Sequence, residues 1–312
     1  MLFTVVLPVF LVLGYGYLVA WLGWMSTQAI DGLMRFAQNF AVPVLLFQSI
    51  ATMDLGAHFD PVLLSSFYVG AFASYAAGWA GARFLFGRSP EDAVAIGFVC
   101  LFSNTLLLGV PITQRAYGDA ALAGNFAIVA IHSPLVYTFG ITAMEFTRAR
   151  GTGLAVSRVA WRALIGVFRT PMVLGILCGV AMNLAGMGGL VMPEGFWAAI
   201  AMVKGAALPT ALFALGGVIW RYRPRGDAGV IAMCCAVSLL LHPTLTMAIG
   251  SLGGLDTASI RSAVVTAAMP PGVNAFLFAS MYQSAQRVAA STVLISTLLS
   301  VLSSAMWLDL LP

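Results

Sequence analysis

Charge is what this sequence has least of. Only 8% of its 312 residues are Asp, Glu, Lys or Arg, where a soluble domain carries about 25%. A chain so poor in charge cannot hydrate a whole surface, so a soluble globular fold is excluded. Cysteine is also scarce: Cys100, Cys178, Cys234 and Cys235 all lie in apolar runs and none makes a Cys-x-x-Cys spacing. That excludes a thiolate metal or redox centre and reads them as small core residues. The groups an intramembrane enzyme needs are missing too. There is no His-Glu-x-x-His, no serine in a Gly-x-Ser context paired with a mid-span histidine, and no pair of intramembrane aspartates. No enzymatic role and no cofactor are read from the chain. A sensor or anchor would normally carry a soluble output domain, and no stretch is polar enough for one. The basic excess, 15 Lys+Arg against 11 Asp+Glu, belongs to cytoplasmic loops rather than to nucleic-acid binding. The first residues, MLFTVVLPVFLVLGYGYLVAW, have no Lys or Arg ahead of the apolar stretch and no Ala-x-Ala-like site after it. They read as a span, not as a cleaved leader.

What is present is hydrophobic: 61% of the residues. A spanning helix takes about 20 of them and a connection about 10, which gives roughly ten spans. Cutting at charges, prolines and glycines predicts spans at 2–24, 29–51, 61–86, 92–117 and 120–146, then at 170–187, 196–219, 228–251, 257–283 and 288–310. The most charged connection, TRARGTGLAVSRVAWRALIGVFRT, separates two sets of five. The expected organisation is a first repeat over 1–147, a cytoplasmic linker over 148–168 and a second repeat over 169–312. Placing both termini outside puts Arg35, Arg83, Arg88, Arg148, Arg150, Arg158, Arg162, Arg169, Arg221, Arg223, Arg225 and Arg287 on the cytoplasmic side, leaving only Arg115, Lys204 and Arg261 on the other.

Five spans per half require related halves to be inverted in the bilayer. Sliding the chain by 166 positions sets Ala41, Pro43, Leu46 and Phe47 on Ala207, Pro209, Leu212 and Phe213, and sliding it by 163 sets Pro8, Leu11 and Gly16 on Pro171, Leu174 and Gly179. The expected fold is therefore an all-α polytopic membrane protein of ten helices in two inverted five-helix repeats.

The helix breakers locate the site. The fourth span, FSNTLLLGVPITQRAYG, contains Ser103, Asn104, Gly109 and Pro111, and the ninth, TAAMPPGVNAFLFASMY, contains Pro270, Pro271, Gly272 and Asn274. Non-helical backbone at membrane depth survives only where protein buries it or a cavity wets it. Matched breaks in two halves point to a transporter's binding site. Each break leaves a half-helix N-terminus suited to an anion. Asn104 with Thr105, and Asn274 with Gly272, add neutral groups that can hold a carboxylate. The alternative is that the breaks and asparagines only tie helices together.

The strings SNTLLLGVPITQRAYG, ALPTALFALGG, MPPGVNAFLFASMY and STVLISTLLS closely resemble the auxin efflux carrier family in its bacterial branch, which includes proteins described as malonate or malate carriers. The resemblance covers nearly the whole chain. It implies a fold similar to bile-acid/sodium symporters and sodium/proton antiporters, with helices 4 and 9 broken and crossing. It also implies carriage of organic anions, often outward, and a homodimer. By motif, Asn104 and Pro111 fall on the first crossover helix and Pro270, Pro271 and Asn274 on the second. Two departures matter. The long hydrophilic loop of plant members is reduced here to about 24 residues, so regulation through it is not expected. The acidic pair of the antiporters has no counterpart, since Glu91 and Asp92 sit at the start of the fourth span and read as helix-terminal charges.

Other ionisable residues have two readings each. Lys204, five residues before Pro209, is a lure for an anion or a side chain that snorkels about 12 Å to the outer surface. Gln38 lies opposite Lys204 under the 166-residue shift and, with Asn39, is a second polar contributor to the cavity. Arg115 faces an outer vestibule or snorkels. His132, followed by Ser133 and Pro134, is a proton relay or closes a kink hydrogen bond, and His242 before Pro243 has the same ambiguity. The aromatic residues are expected mostly at lipid or at the interfaces, for which Trp21, Trp24, Trp197, Trp220 and Trp307 are suited. The expected function is a secondary transporter of small organic anions, mono- or dicarboxylates or auxin-like acids, in the efflux direction. Movement is by an elevator-like alternating access in a bacterial inner membrane. Sodium or proton coupling and a non-transporting sensor are the alternatives.

Overall fold

A computed structural model describes residues 1–52, 60–149, 170–187, 190–222 and 227–312. Among them the chain is helical, with one isolated antiparallel bridge and no strand. Six helices are long and apolar enough to cross a membrane: α1 Leu2–Trp21, α3 Pro61–Leu85, α5 Leu122–Ala149, α7 Glu194–Trp220, α8 Ala228–Leu252 and α10 Gln286–Leu310. Between them lie α2 (27–52), the shorter apolar α6 Pro171–Met187, and two interrupted runs. The first comprises α4a Pro90–Leu101 and α4b (105–117). The second comprises α9a Thr257–Ala267 and α9b Val273–Met281. Helix thus occupies each segment expected from the sequence. Most of the expected linker, 148–168, lies outside the described residues.

Local sequence explains the starts. Ser26, Asp60, Ser89, Asp227 and Asp256 each accept a backbone N–H of the first helical turn, and Pro61 and Pro90 occupy positions where no N–H is needed. Glu91 and Asp92 lie in the first turn of α4a, as expected. Prolines accompany three of the irregularities inside the helices. Five-residue π-turns at Ala37–Ala41, Thr105–Gly109 and Val237–Leu241 each end two residues before a proline, Pro43, Pro111 or Pro243. Proline offers no N–H to the carbonyl four residues back, so the ladder is displaced there. Leu239 loses its partner to Pro243 in this way and instead accepts the indole N–H of Trp307 at 2.9 Å.

That bond corrects an expectation: Trp307 is buried, not interfacial. The aromatic residues also divide differently from the reading above. Phe67, Phe98, Phe102 and Phe278 lie in the core, Phe98 and Phe278 stacked with centroids 3.8 Å apart, while Trp21 and Trp24 are exposed as anticipated. Cys178 is a second correction. It is exposed, because α6 buries only Val173, Gly179 and Asn183.

The chain forms two compact units. One comprises Met1–Leu7, Phe59–Ile165 and Tyr222–Pro312, and the other Pro8–His58 and Gly166–Arg221. Each therefore takes same-numbered runs from both halves: α3, α4, α5, α8, α9 and α10 in the first, and α1, α2, α6 and α7 in the second.

The second unit packs through glycines. A methyl on Gly16 of α1 would fall on the Phe213 carbonyl of α7, and one on Gly179 of α6 would lie 2.8 Å from the Phe47 carbonyl of α2. The sequence shifts pair these same residues, Gly16 with Gly179 and Phe47 with Phe213.

In the first unit the charges gather at two ends. At one end Arg88 meets Asp227 at 2.9 Å, Arg83 donates to the Arg88 carbonyl, and Asp92 accepts the Ala285 N–H at 2.7 Å. Arg148 donates to the Tyr282 carbonyl. At the other end Arg115 donates to the Thr4 carbonyl at 3.0 Å, Gln114 meets Asp119 at 2.7 Å, and Arg261 lies over the Tyr117 ring.

Candidate functional site at a helix crossing

The interruptions of α4 and α9 meet inside the first unit. Residues 93–113 are buried without exception, as are residues 262–272. Irregular backbone at such depth must find internal partners, and here the two breaks satisfy each other. The Asn104 N–H donates to the Pro270 carbonyl at 2.8 Å, and the Gly272 N–H donates to the Phe102 carbonyl at 3.1 Å. This makes the Ser103–Pro271 bridge. Pro270 and Pro271 bring no N–H groups of their own, so the break creates fewer orphan donors.

The two half-helix N-termini differ. At α4b the Asn104 side chain caps its own helix, its Oδ1 accepting the Leu107 N–H at 3.2 Å. The Nδ2 group of Asn104 donates to nothing among the described residues. At α9b the capping position is Gly272, extended and without a side chain. The backbone N–H groups of Val273 and Asn274 consequently make no hydrogen bond among the described residues. The two features adjoin: a methyl placed on Gly272 would lie 3.6 Å from Asn104 Cα and Cβ and 3.7 Å from Cγ. An amide NH₂ thus stands beside an uncapped helix amino end, an arrangement suited to an anion's oxygens.

Helix α5 is laid across the crossing. Tyr137 donates its hydroxyl to the Asn274 carbonyl at 3.3 Å and packs on Phe102, centroids 5.5 Å apart. His132 covers Phe102 at 4.8 Å. Gly140 makes this approach possible, since a methyl there would fall on the Phe98 ring. From α8, His242 stands 3.2 Å from the Ser103 hydroxyl through Nδ1 and 3.2 Å from the Phe67 carbonyl through Nε2. A carbonyl only accepts, so Nε2 carries the proton, and the Ser103 hydroxyl donates to Nδ1.

Of the sequence-derived candidates, Asn104, Thr105, Gly109, Pro111, Pro270, Pro271, Gly272, Asn274 and His132 all lie in this unit. Gly109 packs on the second break, with a methyl there 3.5 Å from Met269 Cγ. Lys204 and Gln38 belong to the other unit, where α7 packs against the π-turn carrying Gln38. Sequence reasoning did not assign Tyr137 a role or join Ser103 to His242.

With six helices long and apolar enough to cross a membrane and two interrupted runs paired in a buried core among its described residues, the chain is a multi-pass membrane protein. Its sequence matches the family described as membrane transport protein over residues 1–308, and the chain belongs to that family. It is 29% identical over 302 residues to a Rhizobium meliloti (strain 1021) protein provisionally named a malonate transporter, a match covering 95% of this chain and 91% of the relative. It is 26% identical over 306 residues to an uncharacterized transporter of Methanothermobacter thermautotrophicus, covering 97% and 96%. Auxin efflux carrier component 2 of Arabidopsis thaliana is 31% identical over 158 residues, which is 48% of this chain and 23% of that protein. These likenesses set the chain in the auxin efflux carrier family, in its bacterial branch.

Proposed function

We propose that this protein is a secondary transporter of small organic anions, held at the crossing of α4 and α9 and passed across by alternating access. The observation that carries the reading is the uncapped amino end of α9b beside the free amide of Asn104. Val273 and Asn274 N–H groups and the Asn104 NH₂ offer a carboxylate several donors and no fixed positive charge. Binding without a permanent ion pair leaves the anion free to depart. The names of the Rhizobium and Arabidopsis relatives both refer to carboxylic acids, which sets mono- and dicarboxylates first among candidates.

The same-numbered runs within each unit, and the matched Gly16–Phe213 and Gly179–Phe47 contacts, support two inverted five-helix repeats, 1–147 and 169–312, that make up ten spans. In this reading the unit holding the crossing moves as an elevator in a bacterial plasma membrane, with both termini outside. The end of that unit carrying Arg83, Arg88 and Arg148 faces the cytoplasm. The family likeness adds a homodimer. Efflux is the direction favoured, since an interior-negative potential expels an anion with about 2.3 kcal/mol per charge per 100 mV.

The test is uptake of a panel of labelled mono- and dicarboxylates, malonate and an indole acid included, by proteoliposomes. Saturable movement of at least one is expected. Failure to move any, from a monodisperse preparation, overturns the reading.

A further inference from the structure

His132 is buried, 1% exposed. Its ring lies against Phe102 (4.8 Å), Phe67 (5.7 Å) and Tyr68 (6.2 Å) and beside the Ser103 backbone at the crossing. Among the described residues neither ring nitrogen makes a hydrogen bond of good geometry, the Ser103 backbone being the nearest polar group. A neutral imidazole always presents one donor and one acceptor, and leaving either unmet in a dry interior carries a desolvation cost. A phenylalanine would fill the same aromatic nest without that cost. The kink hydrogen bond that the following Ser133 and Pro134 make conceivable is not formed. What His132 lacks must therefore come from a guest.

The surroundings narrow the guest. The titratable groups facing His132 are Tyr68 from α3 and His242 from α8. The Tyr68 hydroxyl is already donated to the Ile128 carbonyl at 2.9 Å, and both His242 nitrogens are engaged by Ser103 and Phe67. The arginine and aspartate contacts described in this unit lie at its two ends. A carboxylate entering the crossing thus meets donors but no counter-charge, and a bare anion in a low dielectric is costly. A carboxylate also offers only acceptors, so it can complete His132 only if both nitrogens carry protons.

The geometry points to His132 as the proton carrier of this transporter: it takes one proton from water when the anion binds at the crossing and gives it back to water when the anion leaves. The inference rests on the crossing being the anion site. The balance is simple. The imidazole lone pair gains a proton on one side, the imidazolium loses it on the other, and one proton accompanies each anion, so a dicarboxylate such as malonate still crosses with one net negative charge and is expelled by an interior-negative potential. Ser103 and His242, fully bonded as a neutral pair, fix the backbone beside it.

The experiment uses full-length protein in proteoliposomes containing a trapped pH dye, with labelled malonate, for the wild type and His132→Gln. Glutamine keeps a donor and an acceptor but cannot hold a proton. Wild-type liposomes are expected to move protons with malonate and to accumulate it when a pH gradient is imposed. His132→Gln is expected to continue equilibrium exchange with a raised half-saturation concentration, while losing at least tenfold of gradient-driven accumulation and the dye signal. Retained gradient-driven accumulation in the variant, or wild-type malonate flux without proton movement, overturns the assignment. Loss of exchange together with coupling overturns it as well, because the anion would then depend on His132 for binding itself and not for the proton that travels with it. Absence of wild-type exchange for any carboxylate in the panel overturns the crossing reading and this inference with it.

Discussion

Asn104 serves two partners with one amide: its oxygen caps α4b and its nitrogen is free beside Gly272. The two roles separate by substitution. Asn104→Asp keeps the oxygen that Leu107 needs but replaces the donor with a negative charge facing the anion. It is expected to lose carboxylate transport and to melt below the wild type, because the new carboxylate is buried without a counter-charge even though the cap is kept. Asn104→Ala is expected to lose both transport and the cap. Asp256 is a cap of another kind, at the surface. Hydrogen bonds from the Ser259 hydroxyl and N–H, and from the Ala258 N–H, hold its carboxyl below the ordinary carboxylate value. A depressed value means the contribution is complete above the unfolded carboxylate's pKa, about 3.9, and is lost as pH falls through the folded one. Asp256→Ala is therefore expected to melt below the wild type at pH 7, the gap closing toward pH 3, as read by thermal unfolding in detergent at both pH values. At this scale the sequence was legible where chemistry is local. Asn104, Gly272 and Asn274 stand out because they adjoin helix breakers. Ser103 and His242 are 139 residues apart, and Tyr137 meets Asn274 over a similar span. No local pattern announces such pairs, because they form only when α5 and α8 are docked on the crossing.

Elements fit here because small residues let them approach. Gly140 admits Phe98 to the face of α5, and Phe98 in turn stacks on Phe278 of α9b, so one glycine aligns both arms of the crossing. Gly140→Ala forces a methyl into a fully buried ring. A destabilisation of about 1–3 kcal/mol is expected, with transport reduced beyond the loss of folded protein, as compared by melting and by flux per folded molecule. Unchanged melting would show that the ring yields freely. The helices themselves were legible, since apolar length, capping residues and proline positions all act locally. The displaced ladders before Pro43, Pro111 and Pro243 begin from the missing N–H, although Pro134 and Pro209 lack it within regular α-helix. The fate of the carbonyl so released was not legible. Leu239 is rescued by Trp307, and that choice, which also buries an indole expected at the interface, depends on α10 lying alongside α8. The face that α6 turns outward, Cys178 included, is likewise a matter of neighbours.

At the scale of the molecule, cutting the chain at its charged centre gives two halves, whereas compactness gives two units that each draw on both. The two descriptions agree if the first span of each half packs on the second span of the other, as Gly16 does on Phe213 and Gly179 on Phe47. The proposed relation is marked in the sequence only by a few aligned prolines and glycines, because lipid-facing positions accept almost any apolar residue. Charge is easier to read. Arg83, Arg88 and Arg148 gather at one end of the first unit and Arg115 and Arg261 at the other, as their distribution along the chain requires. The central claim is that a carboxylate is held where α4 and α9 cross. The most direct measurement is equilibrium exchange of labelled malonate in proteoliposomes bearing wild-type protein or Asn104→Asp, matched for folded protein by melting and elution. Exchange by the wild type and none above empty liposomes by the variant is the expected result. Equal exchange by both would place the anion elsewhere and contradict the account.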